Sequence, residues 1–200
     1  MTNEKTSIRF GTWLPATTSN HTASPTDLRP MRRFILLFIG LLLLLFTLQL
    51  IQPVNQHVVV PWTNLVAAVS SYVIQVVDPT VLAEGNTVLS RTAQFGISIE
   101  AGCNGVEAMI VLTAAMVAFP TSWRYKLIGL ALGFLAVQGL NLVRIVSLFF
   151  IGQWNRVVFE WAHLYVWQAL IMIDVLIVLL IWIRTLPPPE ARDHGTPGTP

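Results

Sequence analysis

The chain has 200 residues, 54% of them hydrophobic and only 11% charged, with a formal net charge of +2 and a mean hydropathy of +0.65. Soluble domains carry roughly 25% charged residues, so this composition marks an integral membrane protein with room for one domain of a few spans. The basic residues flank apolar segments instead of forming a stripe or patch, which orients a membrane protein and argues against a nucleic-acid partner.

Residues 1–33 are rich in Thr, Ser, Asn and Pro and lack hydrophobic periodicity. They are expected to form a disordered cytoplasmic tail ending in the basic cluster Arg29, Arg32 and Arg33. Phe34 to Ile51 is an apolar run of 18 residues. A secretory signal has a shorter apolar region and a small-residue cleavage site, so this run reads as a first transmembrane helix that stays attached. The arginines before it place the N-terminus in the cytoplasm.

From Gln52 to Gly102 the character changes. Trp62, Leu65, Val66, Val69, Val73 and Val76 fall on one helical stripe, with Thr63, Asn64, Ser70, Ser71 and Gln75 mostly off it. The pattern predicts an amphipathic helix over 58–77 lying in the outer membrane interface. A second span is the alternative, since the segment is long enough; Pro61, Asn64 and Gln75 count against it. Asp78-Pro79 ends the helix and Glu84-Gly85-Asn86 is a turn signal. Phe95, Ile97 and Ile99 then alternate with Gln94, Gly96, Ser98 and Glu100, the period of a half-buried strand, and Thr87–Ser90 is its expected hairpin partner.

Three further spans are expected, over 104–119, 127–151 and 164–183, with Gly129, Gly133 and Gly139 in the middle one allowing close helix contact. A basic loop at 120–126 and a short Trp-, Phe- and Asn-containing connection at 153–163 separate them. The last span stops at Arg184, and residues 185–200 read as a second disordered tail. The fold class is therefore an all-α integral membrane protein of about four transmembrane helices, with an extracytoplasmic interfacial helix and a short β-hairpin between spans 1 and 2. The membrane-embedded domain covers 34–184. This topology leaves nine of the twelve Lys and Arg residues in the cytoplasm, and only Arg91, Arg144 and Arg156 outside. Five spans would put Cys103 on the cytoplasmic face instead.

Cys103 is the only cysteine. It sits in Glu100-Ala101-Gly102-Cys103-Asn104-Gly105-Val106-Glu107-Ala108, where the strand-like segment turns into an apolar run. A lone thiol beside two glycines at the mouth of a membrane helix is a candidate nucleophile; the plainer reading is a small buried hydrophobe. Four spans bring His163, at the start of the last one, to the same outer interface. Arg144 lies seven residues before Ile151, about 10 Å down its helix, and its long side chain can snorkel outward. An arginine inside a span is costly and points to function. Thiol, imidazole and guanidinium together have a coherent logic: thiolate attack on an acyl carbon, histidine as acid and base, arginine on the developing oxyanion. The cation is also expected to lower the thiol pKa. Glu107, at i+4 from Cys103, is expected to pair with or orient Arg144. Asn104 is expected to cap the following helix, or to meet substrate. Asn141, one turn before Arg144, is expected either to orient the guanidinium or to bond a neighbouring helix. Four scattered histidines (His21, His57, His163, His194) offer no ligand spacing, so no metal or other cofactor is expected.

Three blocks carry a resemblance: Ala101-Gly102-Cys103-Asn104-Gly105-Val106-Glu107-Ala108, Asn141-Leu142-Val143-Arg144-Ile145-Val146 and Trp161-Ala162-His163. They resemble the signature blocks of the exosortase/archaeosortase family, in the family's order, over roughly 58–183. The chain is similar to a compact, exosortase H-like branch, and has Asn104 where many members have Ser or Thr. The resemblance implies catalytic Cys103, Arg144 and His163 in a bacterial inner-membrane cysteine transpeptidase or protease acting on the periplasmic side. The implied partners are the lipid bilayer and exported proteins bearing a PEP-CTERM-like tail of short motif, membrane helix and basic cluster; the acceptor of the acyl group is not implied. A different class, a non-enzymatic assembly or export factor with a structural Arg144–Glu107 pair, is the competing expectation.

Overall fold

The computed structural model describes residues 28–187. Its elements are α1 (Leu28–Leu50), α2 (Gln52–Ile74), β1 (Val81–Glu84), β2 (Thr87–Ser90), β3 (Phe95–Ser98), α3 (Val106–Ala118), α4 (Trp123–Trp154) and α5 (Arg156–Thr185). The protein is a mostly helical membrane protein with one small antiparallel sheet. The expected tails lie outside the described residues except for 28–33 and 185–187. Residues 28–33 are helical, where a tail was expected. Arginine is a good helix former, and Pro30 falls in the first turn, where no intrahelical N–H is lost.

Helices α1, α2, α4 and α5 are long and apolar enough to cross a membrane. Helices α1, α4 and α5 lie where three of the spans were expected. Helix α3, placed where the second span was expected, has only 13 residues, about 20 Å against a hydrocarbon core of about 30 Å. Helix α2 departs from α1 at Ile51, whose backbone is extended (φ −66°, ψ 125°). It touches α1 only around that joint and packs instead on the sheet and α4. Its widened π-helical turn at Asn55–Val59 precedes Pro61, which lacks an N–H and would crowd the carbonyl of His57 in a regular helix. The predicted stripe is split. Leu65, Val69 and Val73 are exposed, while Val66 is buried against the protein with Thr63, Ser70 and Ser71, and Trp62 packs on that core. The buried hydroxyls stay satisfied by their own helix, Ser70 donating to Val66 O at 2.7 Å and Thr63 to Val59 O at 2.8 Å.

Glu84-Gly85-Asn86 does turn the chain, with Gly85 in the left-handed region (φ 60°). The turn joins two strands, so the expected hairpin is a three-stranded sheet of order β1-β2-β3. Four residues of Val81–Glu84 were too few to show a strand period in the sequence. The expected alternation in β3 holds: Phe95, Ile97 and Ile99 pack inward, whereas Gly96 and Ser98 are exposed.

The connection expected at 153–163 is almost wholly helical. Only Asn155, extended at φ −156°, separates α4 from α5, and its side chain accepts the N–H groups of Val157 and Val158. That cap lets a new helix start at once. Along α4 the glycines behave differently from one another. A Cβ at Gly129 would strike the Trp182 ring and one at Gly133 would lie 2.6 Å from Leu112, so both admit close packing, whereas Gly139 faces open space. Lys126, expected in a loop, is buried, donating to Val117 O at 2.6 Å with its ammonium 5.0 Å from the Trp123 ring centre.

Two apolar clusters result. One joins α2, the sheet and the Ile145–Phe149 part of α4. The other joins α3, α4 and α5 through Ala108, Leu112, Met116, Val137, Val175 and Trp182. The turn from Gly102 to Gly105 lies between them, at the same end of the helices as the sheet.

Candidate active site

Gly102 and Gly105 both have positive φ, 84° and 76°. Side chains other than glycine strain at those values. The resulting turn is closed by Cys103 N–H to Glu100 O at 2.9 Å. Asn104 pins it from beneath and is 1% exposed. Its Oδ1 accepts Val106 N–H at 3.0 Å, capping α3, while its Nδ2 donates to Thr63 Oγ1 at 3.0 Å. Trp62 Nε1 donates to the Asn104 carbonyl at 3.1 Å. Both sides of Asn104 are therefore occupied within the fold, and the capping role is the one realised. Trp62 and Thr63 were not expected at the site; one on the apolar stripe and one off it, their positions say nothing of a partner about 40 residues away.

The three main expectations meet. Cys103 Sγ lies 3.2 Å from His163 Nε2. Arg144 Nη2 donates to Cys103 Sγ at 3.5 Å, and Nη1 to the Gly102 carbonyl at 3.0 Å. His163 is carried on a π-helical turn, Ala162–Val166, a widening that re-aims a side chain relative to a regular helix. The Phe159 ring stacks on the imidazole, with centroids 5.7 Å apart. Neither the π turn nor this stacking was visible in the sequence.

Arg144 is 1% exposed, and its Nε has no partner. The expected contact with Glu107 does not form. Among the described residues the one ion pair is Arg156–Glu160, at 3.4 Å on the surface. One Glu107 carboxylate oxygen and both amide atoms of Asn141 are buried without a hydrogen-bond partner. The i+4 argument for Glu107 assumed a helix running through Cys103. The helix instead begins at Val106, after two glycine-bent residues. Asn141 likewise makes no bond to the guanidinium, whose two terminal nitrogens are held by Gly102 and Cys103.

Burial pushes the Cys103 thiol above its ordinary pKa, and the Arg144 guanidinium opposes this without reversing it. The expected lowering by the cation is thus outweighed by desolvation. A raised thiol pKa favours the neutral thiol, so that attack needs a base to take the proton. Alkylation of Cys103 by iodoacetamide is therefore expected to rise about tenfold per pH unit from pH 7 to 8.5, with no plateau. Rates measured on the purified protein check this, and a plateau near pH 7 would show a thiolate already present at rest. Among the described residues no group of three His, Cys, Asp or Glu is placed to hold a metal ion.

The family model described as transmembrane exosortase matches residues 28–182, most of the chain and every element of the site. The chain belongs to the transmembrane exosortase family. Exosortases are membrane proteins that process sorting signals, and this one is a multi-pass member. No curated protein and no solved structure matches it. Asn104, Thr63 and Trp62 support this exosortase's turn, and Cys103, Arg144 and His163 meet at it.

Proposed function

We propose that this exosortase is a cysteine peptidase or transpeptidase that cleaves a C-terminal, PEP-CTERM-like sorting tail from exported proteins. It acts in the bacterial inner membrane with its site on the periplasmic side, both termini cytoplasmic and α2 in the outer interface. One observation carries the reading. A half-buried thiol has an imidazole nitrogen at 3.2 Å and, at 3.5 Å, a buried guanidinium that makes no ion pair with a carboxylate among the described residues. Holding a cation out of water with no carboxylate in direct contact is costly. The cost is offset when negative charge develops beside it, on sulfur or on the oxygen of a tetrahedral intermediate.

In this mechanism His163 Nε2 takes the Cys103 proton as Sγ attacks the scissile carbonyl carbon. The carbonyl oxygen becomes an oxyanion facing Arg144. The intermediate collapses, the C–N bond breaks, and the imidazolium returns its proton to the departing amine. The upstream half remains as a thioester on Cys103, and water or an amine, deprotonated by His163, then releases it. Hydroxylamine added to membranes carrying the exosortase and a tail substrate is expected to give a product ending in a hydroxamate. Mass spectrometry of the new C-terminus checks this. A product ending only in carboxylate, at saturating hydroxylamine, would mean water attacks the peptide bond directly and no thioester forms.

The assembly-factor reading depends on an Arg144–Glu107 pair, and those side chains do not bond in this structure. Nothing else in the fold favours it.

A further inference from the structure

The small sheet has one covered edge and one open edge. Gln75 Nε2 donates to the Val81 carbonyl at 2.8 Å, and α2 packs against β1. On the other side, Ile99 N–H donates to Asn86 O at 2.8 Å, and the register pairs Ile97 with Val88 and Phe95 with Ser90. In an antiparallel ladder the bonded pairs alternate, so 95, 97 and 99 bond toward β2. The N–H and C=O groups of Gly96 and Ser98 therefore point to the open edge. Among the described residues no other backbone segment pairs with them.

This edge borders a groove of about 240 Å³ whose far wall is Gly152, Arg156, Phe159 and Glu160. Two of its lining residues connect it to His163. Phe95 meets Phe159 with ring centres 6.4 Å apart, and Phe159 stacks on His163. Strand β3 itself runs toward Cys103 and reaches it after one turn. We propose that the open edge of β3 binds the extended substrate segment just upstream of the scissile bond, as a fourth strand parallel to β3. The inference rests on the peptidase reading. Strand addition supplies main-chain hydrogen bonds to a segment of variable side chains, as one enzyme serving several exported proteins needs. The direction follows from the site's place at the sheet end of the helices. A parallel strand brings its C-terminal end to Cys103, leaving the downstream tail to enter the apolar layer. An antiparallel one would lead the apolar tail up a groove walled by Arg156 and Glu160, away from that layer.

Ser98→Pro tests the edge. It removes an outward N–H that the ladder with β2 does not use, and proline is tolerated in such edge positions. Ser98→Ala is the matched comparison, since both lose the hydroxyl bonds to Asn86 and Glu100. Ser98→Pro is expected to process tail substrate about tenfold or more slowly than Ser98→Ala, at equal accumulation and equal Cys103 alkylation rate. Equal processing by the two variants overturns the strand proposal while leaving the peptidase reading intact. Failure of the wild type to process in a Cys103-dependent manner overturns both. Should Ser98→Pro fail to accumulate, a photo-reactive benzoylphenylalanine at Glu160 decides. Cross-links within about four residues upstream of the scissile bond support the parallel strand, which rises about 3.3 Å per residue. Cross-links to the downstream tail, or no cross-links, overturn it.

Discussion

Replacing Cys103 by alanine is expected to lower tail processing by about 10⁴-fold or more, to the level of membranes lacking the protein. Serine at this position is expected to do little better. Its hydroxyl can occupy the bond to His163, but it is far harder to deprotonate than a thiol, and its attack would give an ester in place of a thioester. His163→Ala removes the base that the raised thiol pKa makes necessary, and is expected to cost about 10²–10⁴-fold. Because the two act as a unit, Cys103→Ala combined with His163→Ala is expected to be no worse than Cys103→Ala alone. The measurement is the initial rate of tail removal from a co-expressed substrate, with accumulation of each variant checked in the membrane. Processing by Cys103→Ala at a tenth of the wild-type rate would remove the nucleophile and return the assembly-factor reading.

Arg144 is the second position of large effect, and here activity and stability are expected to move in opposite directions. Its guanidinium aims separate nitrogens at the Gly102 carbonyl and at Cys103 Sγ. A lysine ammonium lacks that fixed fork. Arg144→Lys is therefore expected to lose about 10²–10³-fold in processing rate, the range for removing an oxyanion donor. Arg144→Met keeps the length of the stem and removes a buried charge that has no carboxylate partner. Such replacements are often neutral or stabilising. The protein in detergent is accordingly expected to melt at the same or a higher temperature while processing falls at least as far as in Arg144→Lys. At fixed pH its Cys103 is also expected to alkylate more slowly, since the guanidinium is what holds the raised thiol pKa in check. A melting temperature several degrees lower would show Arg144 to be a structural residue first.

The membrane class, three of the long helices, the strand alternation and the candidacy of Cys103, Arg144 and His163 were legible in the sequence because each depends on local pattern or on chemistry with few uses. An apolar run of 18 residues has few soluble interpretations, and an arginine in a span has few structural ones. The sheet's third strand was not legible. Val81–Glu84 is too short for a period, and its pairing with Thr87–Ser90 is a property of the turn between them. Nor was the continuity of α5. A single Asn155 with two accepted N–H groups does the work for which a loop of eleven residues was expected.

The supporting residues divide in the same way. Asn104 kept its expected capping role because that bond spans two residues. Its second bond, to Thr63, joins segments about 40 residues apart and belongs to packing alone. Glu107 and Asn141 were assigned by helical spacing from Cys103 and Arg144. For Glu107 the spacing held no meaning, because the helix starts at Val106, and Gly105 with its positive φ breaks it before it reaches Cys103. Sequence by itself singled out a thiol, an imidazole and a guanidinium, since each has few structural uses in so apolar a chain. Only the tertiary structure decided that they touch, that Arg144 is left without a carboxylate, and that burial outweighs its charge at the thiol. Those outcomes depend on backbone turns and desolvation, which arise when distant segments exclude water from one another.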